Sequence, residues 1–253
     1  MLKRWAVWIA ICILCISILF CLDIFWKHMG KKLSVHVKVH KEDEYVGWEE
    51  KKIQDNPDYK NLWIFIDINE KRLELIDLDR NEILKKYVIA SGKPNTPSPI
   101  GNWKIIGKGR WGKGFGTRWM ALNVPWGRYG IHGTNKPNSI GWAASHGCIR
   151  MRNQDIEELY KIVKVGTPVT IWGGPFGAFG NGFRVLKPGY RGSDVYEVQR
   201  YMKKLGYYPG WVDGIYGEGM KVYVIRFRKK HNLKITHDID REFYKALGIE
   251  LFE

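Results

Sequence analysis

From residue 62 onward the chain alternates short apolar runs with polar turns. Residues 62–68 and 73–77 are two such runs, and the polar Asn69-Glu70-Lys71 between them predicts a β-hairpin. Further strand-like runs follow at Lys86–Ala90, Asn102–Gly107, Arg118–Val124 and Val169–Trp172, with loops rich in Gly, Pro, Ser and Asn between them. One segment has a different period. Asn153–Val165 places Ile156, Leu159, Tyr160 and Val163 on one face and predicts a helix. Residues 61–173 therefore read as a mainly β domain with one helix near its end. The Gly-, Phe- and Pro-rich run Gly173–Gly182 reads as a linker, with the boundary set at 174–183. Beyond it the period becomes helical. Asp194–Leu205 carries Val195, Val198 and Met202, Gly217–His231 carries Val222, Val224, Ile225 and Phe227, and Arg241–Leu247 is a shorter third segment. Residues 184–253 read as a small three-helix domain.

The N-terminal pattern is of another kind. Trp5–Leu22 is an uncharged stretch that, at about 1.5 Å per helical residue, spans most of a hydrocarbon core of about 30 Å. Lys3 and Arg4 precede it, and the positive-inside bias keeps them in the cytoplasm. Residues 1–22 are thus expected to be a short stub and a transmembrane anchor, with the folded domains extracytoplasmic, on the cell-wall side. No small-x-small cleavage site follows the stretch, which ends Leu19-Phe20-Cys21-Leu22-Asp23. Residues 23–60 read as a juxtamembrane linker, in which Val35–His40 alternates with the period of a short strand.

Charge and cysteine content narrow the chemistry. The net charge of +15 divides as +8 over residues 61–182 and +5 over 183–253, so the folded domains carry most of it. An extracytoplasmic basic surface suits anionic wall polymers or lipid headgroups and makes nucleic acid an unneeded partner. Three of the four cysteines lie in the apolar N-terminal stretch, leaving Cys148 alone in the folded region, without an intramolecular disulfide partner there.

Cys148 lies in a cluster. Ile131-His132-Gly133-Thr134-Asn135 is followed, after a polar loop, by Ser145-His146-Gly147-Cys148-Ile149-Arg150. A free thiol is only a few per cent ionised near neutral pH, so a catalytic cysteine needs a base, and two histidines are close in sequence. The glycines after them let backbone amides approach a substrate, and the amides of Gly147 and Cys148 are candidate oxyanion donors. Arg150 would favour the thiolate or bind a substrate carboxylate. Two other readings fit the same residues: a buried, inert cysteine, and a zinc site of His132, His146 and Cys148 with one open position.

The two-part motif closely resembles the signature of the L,D-transpeptidase catalytic domain, the YkuD-like family. Thr96-Pro97-Ser98-Pro99-Ile100-Gly101-Asn102-Trp103 resembles that family's Thr-Pro-x-Gly element, and the likeness covers about residues 61–173. It implies a β-sandwich-like fold and peptidoglycan cross-linking without a metal or other cofactor. By the same resemblance Cys148 is the nucleophile and His132 the general base, with the Gly133 carbonyl orienting its imidazole. His146 is a second proton-transfer candidate, and Ser145, Gly147 and Arg150 shape the site. The family often has Asn where this chain has Arg150.

Residues 184–250 resemble the small peptidoglycan-binding domain, with Asp213-Gly214-Ile215-Tyr216-Gly217 as the best-fitting element. That likeness implies substrate contacts by Asp213, Gly214 and Tyr216, although Met220 and Arg228 replace the usual Thr and Gln. The expected activity is transfer from a donor tetrapeptide stem, through a cysteine thioester, with release of D-alanine. Peptidoglycan stems and wall glycan are the expected partners. An L,D-carboxypeptidase, a metal-dependent wall hydrolase and a non-enzymatic wall-binding protein are the alternatives.

Overall fold

The computed structural model describes residues 59–249 apart from Trp111 and Lys113. The expected anchor, and the linker up to residue 58 with the Val35–His40 strand, lie outside the described residues.

Strands β1 (Leu62–Asp67), β2 (Arg72–Asp77) and β3 (Glu82–Val88) form an antiparallel meander, with Leu62 opposite Asp77 in the first pair. Both turns are built the same way. The Asp67 carboxylate accepts from the amides of Asn69 (2.9 Å) and Glu70 (3.0 Å), and that of Asp77 from Asp79 (2.9 Å) and Arg80 (3.3 Å). An aspartate that closes its own turn explains why the apolar runs stop where they do. Leu62, Ile64, Ile66, Leu73 and Leu75 are the buried apolar positions of the first hairpin.

β5 (Gly101–Gly109) follows the short β4 (Ser91–Gly92) and organises the remainder. Its first half, to Lys104, pairs with β10 (Pro168–Trp172). Its second half, from Ile105, pairs with β6 (Trp119–Leu122) across a register shift between Ile105 and Gly107. A bulge of this kind bends a strand and lets it serve two sheets. With β7 (Tyr129–Gly133) and β9 (Ile149–Met151), the two layers expected of a sandwich are therefore continuous, as one eight-stranded sheet in the order β3-β2-β1-β10-β5-β6-β7-β9. β7 and β9 close its far end, and β8 (Ala143–Ser145) pairs with β4. The first site motif, which read as a loop, is largely strand, and the second is a turn between β8 and β9.

Helix α1 (Asn153–Ile162) buries Ile156 and Leu159 and ends three residues earlier than its apolar pattern. Val163 turns extended there, and Lys108 Nζ takes the Tyr160 and Val163 carbonyls at 2.5 and 2.6 Å, a cation on the carbonyl end of the helix. Helices α2 (Ser193–Lys204), α3 (Glu218–Lys230) and α4 (Arg241–Ala246) surround a second core of Val195, Val198, Met202, Val224, Phe227 and Phe243. The expected linker is not a loose one. Phe183 stacks on Phe179 and meets Phe176 edge-on, and Phe179 and Phe183 pack on Tyr244 at 5.5 and 5.2 Å.

Arg228 is fully buried. Its guanidinium donates to the carbonyls of Asp238 and Lys234 and pairs with Asp240 at 2.6 Å, joining α3 to the loop before α4. Truncation would orphan these acceptors inside a small domain. Arg228→Ala is expected to cost about 3–5 kcal/mol, read by urea denaturation of the C-terminal domain's signal.

Candidate active site

β7 and β9 run parallel with Ile131 opposite Ile149 and His132 opposite Arg150. Residues two apart on a strand share a face. Cys148, immediately before β9, therefore falls against Gly130, whose backbone hydrogen-bonds the sulfur. One face of the strand pair thus carries Cys148 and Arg150 on one side and Gly130 and His132 on the other. The two halves of the motif meet through main-chain pairing.

His132 is buried, at 3% exposure. Its Nδ1 lies 2.5 Å from the Gly133 carbonyl, so this nitrogen carries the proton and Nε2 keeps its lone pair. Trp119 stacks on the ring at 5.4 Å and Phe115 meets it edge-on at 4.9 Å. Burial, aided by the Arg150 charge, lowers the imidazole pKa to about 4 against the opposing pull of the Gly133 and Phe115 backbone carbonyls. The ring is neutral at physiological pH, as a general base must be.

Cys148 is free and half-buried, with its sulfur 4.0 Å from the Arg128 carbonyl. Burial raises its thiol pKa, and the Gly130 hydrogen bond and Arg150 offset that only in part. Arg150 does favour the thiolate, as its charge suggested, but desolvation wins. At rest the two groups are a thiol and a neutral imidazole.

The turn that presents the thiol is anchored by Ser145. Its Oγ donates to the Cys148 carbonyl (2.6 Å) and accepts from the Gly147 amide (3.0 Å). Its own carbonyl accepts from the Lys93 amide and the Thr96 hydroxyl, both at 3.1 Å. This corrects the oxyanion expectation for Gly147, whose N–H is committed within the turn. Gly147 is needed for its shape: φ is +113°, and a Cβ would come within 2.6 Å of the Tyr129 ring and 3.1 Å of the Pro97 carbonyl. Arg150 exchanges main-chain hydrogen bonds with Ala90 and reaches the Ala144 carbonyl at 3.4 Å, which ties β9 to the β4–β8 pair. His146 is exposed in the same turn. Among the described residues no three His, Cys, Asp or Glu side chains converge to hold a metal ion, so His132, His146 and Cys148 do not form the zinc set considered from sequence.

The structure adds residues that sequence reading missed. Trp119 stands in register with His132 across β6 and β7, a pairing that alternation along the two runs could have revealed. Asn153, read only as a helix start, takes the Thr117 amide at 3.2 Å on Oδ1, beside Gly133. Tyr129 lies over Gly147.

The C-terminal assignments change. Asp213 Oδ1 accepts from Gln199 Nε2 and the Ile215 amide, both at 2.9 Å, and the Gly214 amide donates to Gln199 Oε1 at 2.7 Å. Tyr216 has no exposed surface and its hydroxyl is 2.5 Å from the His237 carbonyl. These groups build a turn inside the domain, with the Tyr216 side chain buried in it.

Residues 61–171 match the family described as the L,D-transpeptidase catalytic domain (YkuD), and residues 191–247 match a family described as a peptidoglycan binding domain. A Bacillus licheniformis protein named as the L,D-transpeptidase YkuD is 44% identical over 117 residues, covering 46% of this chain and 68% of that protein. The chain belongs to the L,D-transpeptidase family. A second relative, named as the L,D-transpeptidase YqjB of Bacillus subtilis, is 32% identical over 123 residues, covering 42% of this chain and 70% of its own. The crystal structure of a Cys-to-Ser mutant of an Enterococcus faecium L,D-transpeptidase aligns with a TM-score of 0.39 at 26% identity. It covers 45% of this chain, and this chain spans half of that one.

If His132 is the general base, as the resemblance implies, it sets the acid limb of activity of this L,D-transpeptidase family member. A base with its pKa lowered to about 4 stays unprotonated as pH falls, until pH nears that value. The limb of kcat/KM is therefore expected near pH 4, whereas an unperturbed imidazole would place it near 6.5. Rates of D-alanine release between pH 3.5 and 8 check this.

Proposed function

We propose that this protein forms peptidoglycan cross-links through a thioester on Cys148. The observation that carries the reading is the pairing of β7 with β9, which brings a neutral His132 and the only free thiol of the described residues to one face. His132 takes the thiol proton as the sulfur attacks the carbonyl at the L-centre of the diamino acid in a donor tetrapeptide stem. The tetrahedral intermediate collapses, its C–N bond breaks, and the protonated imidazole returns the proton to the leaving D-alanine amine. An amine of a second stem then attacks the thioester, His132 takes its proton, and the thiol is regenerated. Gly133 holds the imidazole tautomer throughout, as an acid does in serine triads.

The peptidoglycan binding domain makes peptidoglycan the partner. The cell-wall side is the proposed location, with Trp5–Leu22 as anchor. Its support is the uncharged length of that segment, the Lys3 and Arg4 before it, and the site of the substrate itself.

Incubating the full-length protein with tetrapeptide muropeptides, followed by mass spectrometry, tests the reaction. Cross-linked dimers with free D-alanine are expected. Tripeptides alone would replace the acceptor amine by water, and release that a chelator abolishes would overturn the cysteine mechanism.

A further inference from the structure

The turn that sequence assigned to ligand binding is used in a different way. Gly214 has φ +70° and lies so close to Trp126 of the catalytic domain that a Cβ would be 2.3 Å from the indole Cε3. Fully buried Gln199 fixes this turn by four hydrogen bonds, to Asp213, Gly214 and Ile215. From α2, Tyr196 packs against Trp126 at 5.6 Å and Trp103 at 5.9 Å, and the two tryptophans meet edge-on at 5.2 Å. Trp126 is 4% exposed, so the contact is a desolvated aromatic interface.

The line continues toward the nucleophile. Trp126 packs edge-on against Tyr129 at 6.3 Å. Arg191, also from the C-terminal domain, acts electrostatically on the same phenol. The Tyr129 ring in turn covers Gly147, the residue before Cys148.

We propose that the C-terminal domain is part of the catalytic apparatus: through Gly214, Tyr196 and Trp126 it holds Tyr129 over the Gly147–Cys148 turn, and Tyr129 is a positioning residue for the nucleophile. A domain on a free tether would only raise local substrate concentration. Here the interface ends on the turn that sets where the sulfur stands, and misplacing a reacting atom by about 1 Å can cost about a hundredfold in rate. The inference rests on the cysteine reading of the site.

Two measurements on the full chain test it: steady-state kinetics with a soluble tetrapeptide muropeptide, and the pH dependence of Cys148 alkylation by iodoacetamide, followed on the Cys148 peptide by mass spectrometry. A soluble substrate removes any tethering advantage. Tyr129→Ala, Tyr196→Ala and Gly214→Val are each expected to lower kcat by about 10- to 100-fold with little change in KM. Each should also move the alkylation midpoint down toward that of an ordinary thiol, because the sulfur loses cover. Tyr129→Phe, which keeps the ring over Gly147, should restore most of both. If Gly214→Val fails to fold, Tyr196→Ala, at a partly exposed position, carries the same test. Folded interface variants with wild-type kcat and alkylation profile, weakened only in binding to sacculi, would overturn the proposal. A wild-type protein that releases no D-alanine would sink the transpeptidase reading, yet the alkylation comparison would still decide the positioning role.

Discussion

Cys148→Ala is expected to lower D-alanine release from a tetrapeptide donor by about a thousandfold or more, with no acyl-enzyme mass detectable. The sulfur forms the covalent bond that divides one difficult acyl transfer into two, and no hydroxyl or thiol at position 148 replaces it. The fold should hardly notice. The thiol is half-buried, and its sulfur lies 4.0 Å from the Arg128 carbonyl and against the Gly130 backbone. The turn itself is held by Ser145 through the main chain of Gly147 and Cys148, which the substitution keeps. A stability change within about 1 kcal/mol in urea denaturation, beside the loss of activity, separates chemistry from unfolding. Activity retained in this variant would refute the proposed mechanism outright.

His132→Gln comes next in size, with an expected loss of about 10²- to 10⁴-fold in kcat. Glutamine can still donate toward the Gly133 carbonyl but cannot accept and return a proton. Because the resting thiol has a raised pKa, the enzyme has no preformed thiolate to fall back on. Two pH signatures accompany the change. The acid limb near pH 4 should vanish, and residual activity should rise steadily with pH as hydroxide or bulk base ionises Cys148. Stability follows with a definite sign. The unfolded chain protonates His132 near pH 6.5, while the folded one resists until about 4. The native protein therefore loses stability as pH falls through that window, and the Gln variant should lose less.

Much of the fold was legible because its rules are local. The first hairpin follows from two apolar runs around a polar turn, and α2 and α3 follow from helical spacing that buries Val195, Val198, Met202, Val224 and Phe227. The end of α1 was not legible, since a lysine from β5, Lys108, caps its last carbonyls from far away in sequence. Nor were β7 and β9. Each is short and Gly-rich or contains the motif, so neither shows a clean period, and they exist because they pair with one another and with β6.

The candidate site divides along the same line. Sequence alone determined the candidate reactive groups: a single thiol after the apolar N-terminus, two histidines near it and the glycines between, a pattern whose chemistry is carried by residue type and spacing. Tertiary structure decided which histidine is buried and neutral, because desolvation by Phe115 and Trp119 depends on packing. It decided that the Gly147 amide serves the turn, and that Asp213, Gly214 and Tyr216 serve a buried hydrogen-bond network and an aromatic interface. The physical reason is common to all of these. A residue's identity sets what it can donate, accept or attack, whereas its pKa, its free valences and its accessibility are set by neighbours that are distant along the chain.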